Sequence, residues 1–355
     1  MEKKFKRIGV LTSGGDAPGM NSVIKSVTCA ALAQGVEVIG ILGGYSGLIH
    51  DRTRKLTELD VSDIVSKGGT MLYSDRCDEF KTEEGMQKAI ATCKKHNIDG
   101  IIAIGGDGTF RGATDLSIRG IPCIGVSGTI DNDITATDIT VGYDTAMNTV
   151  LSLGDALRDT SESHARCSVI EVMGRNAGYI AIESALALNA IGVVLQEMPF
   201  DKEALFAKIR KMRDQGQRSF IVIIAEGMGG AFGEALTKEI EEKTGVEARF
   251  NRPAHIVRGG IPTLADRNFA ARSGFKAVEA LLNGISDVVI CSRHDKIVTT
   301  DIKWALIVDR MYKSKLKDGD LDAFTAEQIN EMKALCEERH QYFEEMYRIV
   351  NTIGC

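Results

Sequence analysis

Ile101-Ile102-Ala103-Ile104-Gly105-Gly106-Asp107-Gly108-Thr109-Phe110 is the stretch that decides the fold. Residues 100–104 are apolar and rich in isoleucine, as is typical of a buried strand in a parallel sheet. The glycines that follow permit a sharp turn and a close approach of the backbone to a ligand. Asp107 then lies at the carboxyl end of the strand, where open α/β sheets bind ligands. Thr109 is predicted to cap a helix over 110–119.

Phosphate binding is the chemistry that this stretch favours. Amide groups at the start of a helix attract anions, and glycines leave those amides accessible. Asp107 is a candidate ligand for the Mg²⁺ that accompanies bound phosphates. The alternative interpretation is an ordinary glycine-rich turn that ends a core strand.

The same arrangement opens the chain. An apolar strand over 7–11 leads into the glycine-rich loop 12–19, and a helical stripe of apolar residues follows over 20–34. The loop matches neither the Walker A pattern nor the GxGxxG pattern. Two glycine-rich strand ends in one half of the molecule predict an extended phosphorylated ligand that lies across the sheet edge.

Strands and helices alternate through the rest of the chain, which predicts doubly wound α/β architecture in two successive halves. The other predicted strands are 36–42, 122–126, 167–172, 192–195, 220–225 and 287–291. The other predicted helices are 60–65, 82–96, 147–158, 177–188, 202–215, 233–244 and 325–352. The strand over 36–42 is followed by Gly43-Gly44-Tyr45-Ser46-Gly47.

Bulk properties narrow the class of protein. The chain has 355 residues, enough for two domains, and its net charge of −6 argues against a general nucleic-acid surface. No apolar run approaches the ~20 residues of a membrane helix, and the short apolar segment after the basic start argues against a signal peptide. The eight cysteines are scattered without a CxxC pair, as expected for reduced thiols in a cytoplasmic protein.

A second candidate motif is Thr129-Ile130-Asp131-Asn132-Asp133. In an extended segment, side chains two residues apart point to the same face, so Asp131 and Asp133 would both face one cleft at a strand end. One carboxylate then accepts a proton from a substrate hydroxyl, and the other supports a metal ion. The alternative is a turn rich in Asp and Asn, which both residues favour.

Arginines in loops at strand ends form a third signal, because a guanidinium binds a phosphate monoester through two hydrogen bonds. Arg166 precedes a strand, and Arg175 follows that strand. Arg249 and Arg258 flank His255 in a stretch broken by proline and glycine. His255 alone is more typical of a structural hydrogen-bonding residue, and a lone surface arginine is usually only solvated.

Glu226 is a candidate of another kind. It ends the apolar strand 220–225 and precedes Gly227, a position from which it can accept hydrogen bonds from sugar hydroxyls. The alternative is an acid that caps a helix or belongs to a loop.

Taken in order, these motifs resemble the bacterial 6-phosphofructokinase family over about residues 4–315. The resemblance rests on Gly14-Gly15-Asp16-Ala17-Pro18-Gly19-Met20-Asn21, Gly105-Gly106-Asp107-Gly108-Thr109, Gly128-Thr129-Ile130-Asp131-Asn132-Asp133, Met173-Gly174-Arg175 and His255-Ile256-Val257-Arg258-Gly259-Gly260. It implies two Rossmann-like, three-layer α/β domains with mainly parallel sheets. It further implies a homotetramer that transfers the ATP γ-phosphoryl group, with Mg²⁺, to the 1-hydroxyl of fructose 6-phosphate.

The resemblance also implies a domain division and roles for individual residues. Residues 1–142 with about 253–310 would bind the nucleotide, 143–252 the sugar phosphate, and about 311–355 would form a helical tail packed on the body. Asp131 would be the base, Thr129 its neighbour, Asp133 a support for the metal region, Asp107 the Mg²⁺ ligand and Arg175 the stabiliser of charge. The nucleotide would be held by Gly15, Tyr45, Arg76, Gly106, Asp107, Gly108 and Thr109. The sugar phosphate would be held by Thr129, Asp131, Met173, Gly174, Arg175, Glu226, His255 and Arg258, with Arg166 and Arg249 from a neighbouring subunit.

Departures from the family pattern qualify this picture. Gly108 and Gly128 stand where pyrophosphate-using members carry Asp and Lys, which favours ATP as the donor. Cys77 stands where an aromatic residue often follows the nucleotide-site arginine. The flanks of the sugar site change at Ser127, Val257 and Ile261. The effector site is degenerate: it keeps Lys25 and Arg158 but has Cys29 and Gln217 at two basic positions, so weak inhibition by phosphoenolpyruvate is expected.

Other functions remain open from the residues alone. A kinase for another sugar phosphate, such as sedoheptulose 7-phosphate, fits the same motifs. NAD kinases share the Gly-Gly-Asp-Gly-Thr pattern, although the later motifs argue against them. A catalytically weak paralogue that binds nucleotide as a regulatory subunit is the alternative from another functional class.

Overall fold

A seven-stranded sheet and a four-stranded sheet organise residues 5–354, which are the residues that this computed structural model describes. The first of two units contains residues 5–130, Ile134–Thr145 and Arg258–Cys336. The second contains Asp131–Asp133, Ala146–Val257 and residues 337–354. The predicted fold class, two α/β units with mainly parallel sheets, is confirmed.

The elements follow one another in alternation. The strands are β1 Arg7–Ser13, β2 Glu37–Ile41, β3 Thr53–Leu56, β4 Gly100–Gly105, β5 Cys123–Ser127, β6 Arg166–Val172, β7 Gly192–Val194, β8 Phe220–Ala225, β9 Glu247–Asn251, β10 Val288–Arg293 and β11 Lys296–Asp301. The helices are α1 Met20–Ala33, α2 Gly44–Ile49, α3 Glu83–Lys95, α4 Asp107–Ile118, α5 Tyr143–His164, α6 Tyr179–Ala187, α7 Lys202–Asp214, α8 Phe232–Thr244, α9 Leu264–Leu282, α10 Ile302–Tyr312 and α11 Ala326–Ile353.

The sheet of the first unit has the order β11-β10-β5-β4-β1-β2-β3. The five inner strands are parallel, and each edge strand is antiparallel to its neighbour. All six residues of β4 are buried, because helices cover both faces of a parallel sheet. The sheet of the second unit has the order β7-β8-β6-β9 and is parallel throughout.

Several local predictions were wrong. The strand predicted over 36–42 ends at Ile41, and α2 begins at Gly44. The helix predicted over 60–65 is a single 3₁₀ turn, Leu59–Val61. The helix predicted over 110–119 begins earlier, at Asp107, and α5 begins at Tyr143 instead of residue 147. Within residues 5–354, no helix has both the length and the apolar character needed to cross a bilayer.

The C-terminal helix α11 contributes to both cores. Its first part buries Met332 and Leu335 in the core cluster of the first unit. Its second part belongs to the second unit, where Phe343 is 1% exposed and its ring centroid lies 4.6 Å from that of Tyr179 on α6. The hydroxyl of Tyr342 also donates a hydrogen bond to the side chain of Glu183. The second part of the tail is therefore an integral layer of its unit.

Replacing Phe343 with alanine should lower the free energy of unfolding by about 3–5 kcal/mol, because a buried aromatic ring leaves a cavity that surrounding atoms fill only partly. Glu344→Ala, on the exposed side of the same helix, should leave stability within about 0.5 kcal/mol. Chemical denaturation followed by circular dichroism measures both. Equal stability of the two variants would contradict a packed tail.

Candidate active site

Three loops of the first unit leave its sheet at the same edge. Parallel pairing sets Ser13 of β1 beside Gly105 of β4, and Gly105 beside Ser127 of β5. The hydroxyl of Thr109 donates to the Ser13 carbonyl at 3.0 Å, and the amide of Gly128 donates to the Gly105 carbonyl at 2.9 Å. These bonds fix the starts of the loops after β1, β4 and β5 relative to one another.

Glycines are required at the end of β4 for two different reasons. A Cβ at Gly105 would lie 2.3 Å from the Ser13 carbonyl oxygen, so no side chain fits there. A Cβ at Gly106 or Gly108 would meet nothing within 4 Å, so both positions face open space. Because α4 begins at Asp107, its first amides point into that space, and such a helix start attracts an anion.

Thr109 is not the helix cap that we predicted. Gly106 occupies the cap position, and no side chain caps the helix there. Thr109 lies inside the first turn, is 2% exposed and uses its hydroxyl to bind the β1 strand. The helix starts early because Gly106 takes an extended conformation that leads directly into the first turn.

Asp107 lies at the start of α4 with its carboxylate accepting from Arg111 Nη2 at 2.5 Å. Among residues 5–354, no three or more His, Cys, Asp and Glu side chains form a group that could hold a metal. Mg²⁺ is commonly bound by one or two carboxylates together with substrate phosphates. A single carboxylate beside a phosphate-binding helix start fits that pattern.

Arg258 lies against the glycine-rich loop after β1. A Cβ at Gly15 would be 2.6 Å from Arg258 Nη1, and the same nitrogen donates to the carbonyl of Asp16 at 3.1 Å. Glycine at position 15 therefore makes room for the guanidinium. Gly15 was predicted to bind a nucleotide and Arg258 a sugar phosphate, and the structure brings the two together within the first unit.

Tyr45, which the resemblance assigns to the nucleotide site, is a core residue in the structure. It is 5% exposed, stacks on Phe80 at 4.1 Å between ring centroids, and donates its hydroxyl to the Thr109 carbonyl at 2.5 Å. It therefore supports the start of α4 from inside the core. Arg76 is exposed, and Cys77 beside it packs partly against the same core.

The segment around Asp131 is a turn and not the extended strand that we expected. Asn132 has a positive φ of 51°, which breaks the simple alternation of side chains along the segment. Asp131 is 1% exposed, whereas Asp133 is intermediate in exposure. The two carboxylates therefore lie in different environments. Thr129, in the first unit, is 9% exposed, and its carbonyl accepts from Thr140 Oγ1 at 2.6 Å.

Arg175 is the charged neighbour of Asp131 within the second unit. Its Nε lies 3.5 Å from Asp131 Oδ2, and its side chain is 55% exposed while that of Asp131 is 2% exposed. A buried carboxylate next to an accessible guanidinium combines a proton acceptor with a group that binds phosphoryl oxygens. The structure thus brings together two of the predicted catalytic residues.

Glu226 shapes the loop that carries Arg175. Its Oε1 accepts hydrogen bonds from the amides of Gly174 at 3.1 Å and Arg175 at 2.6 Å. Gly174 and Arg175 both have positive φ, at 148° and 54°, and a Cβ at Gly174 would lie 2.4 Å from the Ala177 carbonyl. A positive φ is unfavourable for arginine, so the carboxylate holds a conformation that the loop alone would rarely adopt. Met173 begins this loop.

Glu197 is a supporting residue that sequence reasoning missed. Its Oε1 accepts from the amide of Gly178 at 2.7 Å, immediately before α6. Burial raises the pKa of this carboxyl above its ordinary value. The signal was present, because Glu197 lies two residues after the apolar strand predicted over 192–195, much as Glu226 directly follows β8.

Arg166 and Arg249 lie elsewhere in the second unit. Arg166 begins β6, and Arg249 lies within β9 and not in the predicted loop. Both pair with Glu247, and hydrogen bonding from Arg166 lowers the pKa of that carboxyl. Since β6 has seven residues, Arg166 is about 20 Å along the strand from Met173 at its other end. His255 is exposed on the 3₁₀ helix Ala254–Arg258.

The predicted effector residues already bind backbone carbonyls. Lys25 Nζ donates to the Ser62 carbonyl at 3.0 Å, and the Arg158 guanidinium donates to the Leu188 carbonyl. Each cation is thus tied to its own unit.

Comparisons with known proteins identify relatives of this chain. The family described as phosphofructokinase matches residues 7–281. An ATP-dependent 6-phosphofructokinase of Bacillus licheniformis is 49% identical over 298 residues, 84% of this chain and 93% of the relative. ATP-dependent 6-phosphofructokinase 1 of Clostridium perfringens is 46% identical over 312 residues, 88% of this chain and 97% of the relative.

Solved structures give the same picture. The phosphofructokinase of Saccharomyces cerevisiae superposes with a TM-score of 0.83 at 26% identity over 89% of this chain, which spans 47% of the yeast chain. A pyrophosphate-dependent phosphofructokinase of Marinobacter aquaeolei has a TM-score of 0.75 at 21% identity over 84% of this chain and 83% of its own, and this similarity shows the fold alone.

Replacing Glu226 with alanine should speed amide hydrogen exchange at Gly174 and Arg175 by about 10- to 100-fold, because both amides lose a charged acceptor. Glu226→Gln keeps one acceptor oxygen and should give an intermediate rate. Hydrogen exchange resolved by residue measures the effect. Asp201→Ala, which removes an acceptor of the Ala204 amide at the start of α7, is the matched control. Equal protection at Gly174 and Arg175 in all variants would refute this role.

Proposed function

The chain belongs to the phosphofructokinase family, and we propose that it transfers the γ-phosphoryl group of ATP to the 1-hydroxyl of fructose 6-phosphate. The product is fructose 1,6-bisphosphate, as in glycolysis, and ADP is released. The observation that carries the assignment of catalytic residues is the contact between Arg175 Nε and the buried Asp131 carboxylate at 3.5 Å.

Asp131 is the base in this proposal. Its carboxylate accepts the proton of the 1-hydroxyl while that oxygen forms a bond to the γ-phosphorus. The bond between the γ-phosphorus and the bridging oxygen of ADP breaks, and its electron pair leaves with ADP. Because the Asp131 side chain is buried, its carboxylate is shielded from bulk water, and this supports its assignment as the acceptor of the substrate proton.

Arg175 stabilises negative charge on the transferring group. A guanidinium offers five donors in a planar array, so pairing of Nε with Asp131 leaves a geometry suited to phosphoryl oxygens. The loop conformation held by Glu226 orients this side chain. The loop therefore assigns Met173, Gly174 and Glu226 to the sugar-phosphate site. The same proposed site includes His255, Arg258 and Thr129.

ATP is the donor that the first unit supports best. The open space at Gly106 and Gly108 leaves room for a nucleoside triphosphate above the start of α4. Gly128 does not open such space, because a Cβ there would lie 3.1 Å from the side chains of Ile104 and Met20. The ATP assignment thus rests on Gly106 and Gly108 and on the ATP-dependent relatives.

Mg²⁺ would be held by Asp107 with the phosphates of the nucleotide, and Asp133 would support the same region. When bound, the ion neutralises charge on the phosphates. Arg111, now paired with Asp107, would have to turn away from the carboxylate.

A homotetramer with shared sites is the assembly we propose. Arg166 is the first residue of β6, and Arg249 lies in the middle of β9, paired with Ser168. Met173 and Glu226, in contrast, directly follow the last residues of β6 and β8. Two arginines this far from the loop of their own unit are suited to a phosphate in a neighbouring subunit. A cytoplasmic location is part of the proposal, and the free thiols of the seven described cysteines support it.

Two other functions use the same residues. A different sugar phosphate as acceptor would keep Asp131 and Arg175 in their roles and change only the acceptor. A weak regulatory paralogue is less well supported, because the base and the arginine are both present and in contact.

Asp131→Asn should lower kcat by about 10²- to 10⁴-fold with little change in the affinity for ATP, because the base is lost while the nucleotide residues remain. ADP release from Mg-ATP, with and without fructose 6-phosphate, measures the rate. Asp115→Asn, an exposed position on α4, should retain wild-type activity. Release that does not require fructose 6-phosphate, or that survives Asp131→Asn, would overturn the assignment.

Phosphoenolpyruvate should change the rate less than about twofold, since neutral Cys29 and Gln217 replace basic residues and Lys25 and Arg158 already bind carbonyls. Steady-state rates at low fructose 6-phosphate test this. Cys29→Arg combined with Gln217→Lys should increase inhibition by adding two charges. Steep inhibition of the native protein would contradict the degenerate effector site.

A further inference from the structure

Asp266 is a fully buried carboxylate in the first turn of α9. Its Oδ1 accepts from the amide of Gly142 at 2.7 Å. Its Oδ2 accepts from the amide of Thr145 at 2.8 Å and from Thr145 Oγ1 at 2.5 Å. Gly142 and Thr145 flank the beginning of α5, so a side chain on one helix satisfies the first amides of another.

Three donors make an ionised carboxylate the fitting partner. An amide in place of the carboxylate would turn its NH2 group toward the backbone amide of Gly142 or that of Thr145, and a buried donor facing a donor is unfavourable. Burial raises the pKa of Asp266, and the nearby Asp144 raises it further, while the three hydrogen bonds lower it. Burial of this carboxylate disfavours its ionised form, and its three hydrogen bonds offset that cost.

The contacts that lead away from Asp266 reach the segment with the catalytic residues. Val141 forms a parallel bridge with Gly128, and its amide donates to the Ser127 carbonyl at 3.1 Å. Thr140 Oγ1 donates to the Thr129 carbonyl at 2.6 Å. Residues 140–142 therefore form a short strap, held at Gly142 by Asp266 and bound along its length to residues 127–129.

The strap also packs against the loop after β1. A Cβ at Gly142 would lie 2.6 Å from the Ala17 Cβ, and one at Gly19 would lie 2.8 Å from Val141 Cγ1 and 3.6 Å from the Asp266 Cβ. Such close packing leaves the strap little freedom to shift. Movement at Asp266 would be transmitted to Thr129.

We propose that Asp266 is a positioning residue for phosphoryl transfer, which acts through the 140–142 strap to fix the backbone at Thr129. This inference rests on the proposed function. Asp266 does not contact the substrate in this proposal. It fixes the position of the Thr129 backbone in the site. A misplacement of reacting groups by a fraction of an ångström lowers kcat strongly while leaving ground-state binding nearly intact.

Two variants test the two ends of the path. Asp266→Asn replaces one acceptor with a donor, and Thr140→Val removes the hydroxyl bound to the Thr129 carbonyl without touching Asp266. Each should lower kcat about 10- to 100-fold with less than a twofold change in KM for ATP. Their combination should lower kcat by less than the product of the single effects, because both interrupt one path.

Asp301→Ala is the control for simple loss of stability. Asp301 caps α10 in the same unit by accepting the Trp304 amide at 2.8 Å, so its loss should lower the melting temperature and leave kcat unchanged. All rates are measured at a temperature at which circular dichroism shows each variant folded. If Asp266→Asn does not fold, Thr140→Val alone decides.

The outcomes are distinct. An unchanged kcat in Thr140→Val, multiplicative effects in the double variant, or a fall in kcat matched by Asp301→Ala each overturns the positioning role. Absence of ADP release by the wild-type protein with fructose 6-phosphate overturns the proposed function instead.

Discussion

The register of three parallel strands is the constraint on which the candidate site depends. Because Ser13, Gly105 and Ser127 stand side by side, the loops that follow them start from one edge of the sheet. Parallel pairing alone would leave these loops free to diverge after the last strand residue. The bonds from Thr109 to Ser13 and from Gly128 to Gly105 extend the register by one step and direct the loops. The chemistry of the site is thus a continuation of the sheet's hydrogen bonding.

Several acidic side chains in this protein accept hydrogen bonds from backbone amides. Glu226 and Glu197 hold the two ends of the loop that contains Arg175, and Asp266 holds the beginning of α5. Each carboxylate fixes a backbone that glycine has made flexible. An acid at the end of a buried strand is therefore not by itself evidence of a ligand contact. Asp131 is different, because its neighbour is an accessible guanidinium.

The sequence allowed the fold class and most inner strands to be predicted, since buried parallel strands such as β4 and β8 are unbroken apolar runs. Elements that form only through tertiary contacts were not predicted. Among them are the strands β3, β9 and β11, whose sequences are alternating or polar, and the helices α9 and α10. Individual site residues could be identified from motifs, but their environments could not. The left-handed backbone of Asn132, the burial of Tyr45 and the strand position of Arg249 all depend on packing against distant segments.

The edge strands of the two sheets affect the tendency of this chain to aggregate while it folds at high concentration. An unpaired strand edge can recruit a second chain and start aggregation. Here β3 carries Arg54 and Lys55, β11 begins with Lys296, and β9 carries Arg249, while β7 has only three residues. Charged side chains oppose pairing with a second chain at three of these edges, and the short length of β7 opposes it at the fourth. The chain is therefore protected against edge-to-edge association while its long-range parallel pairs are still forming.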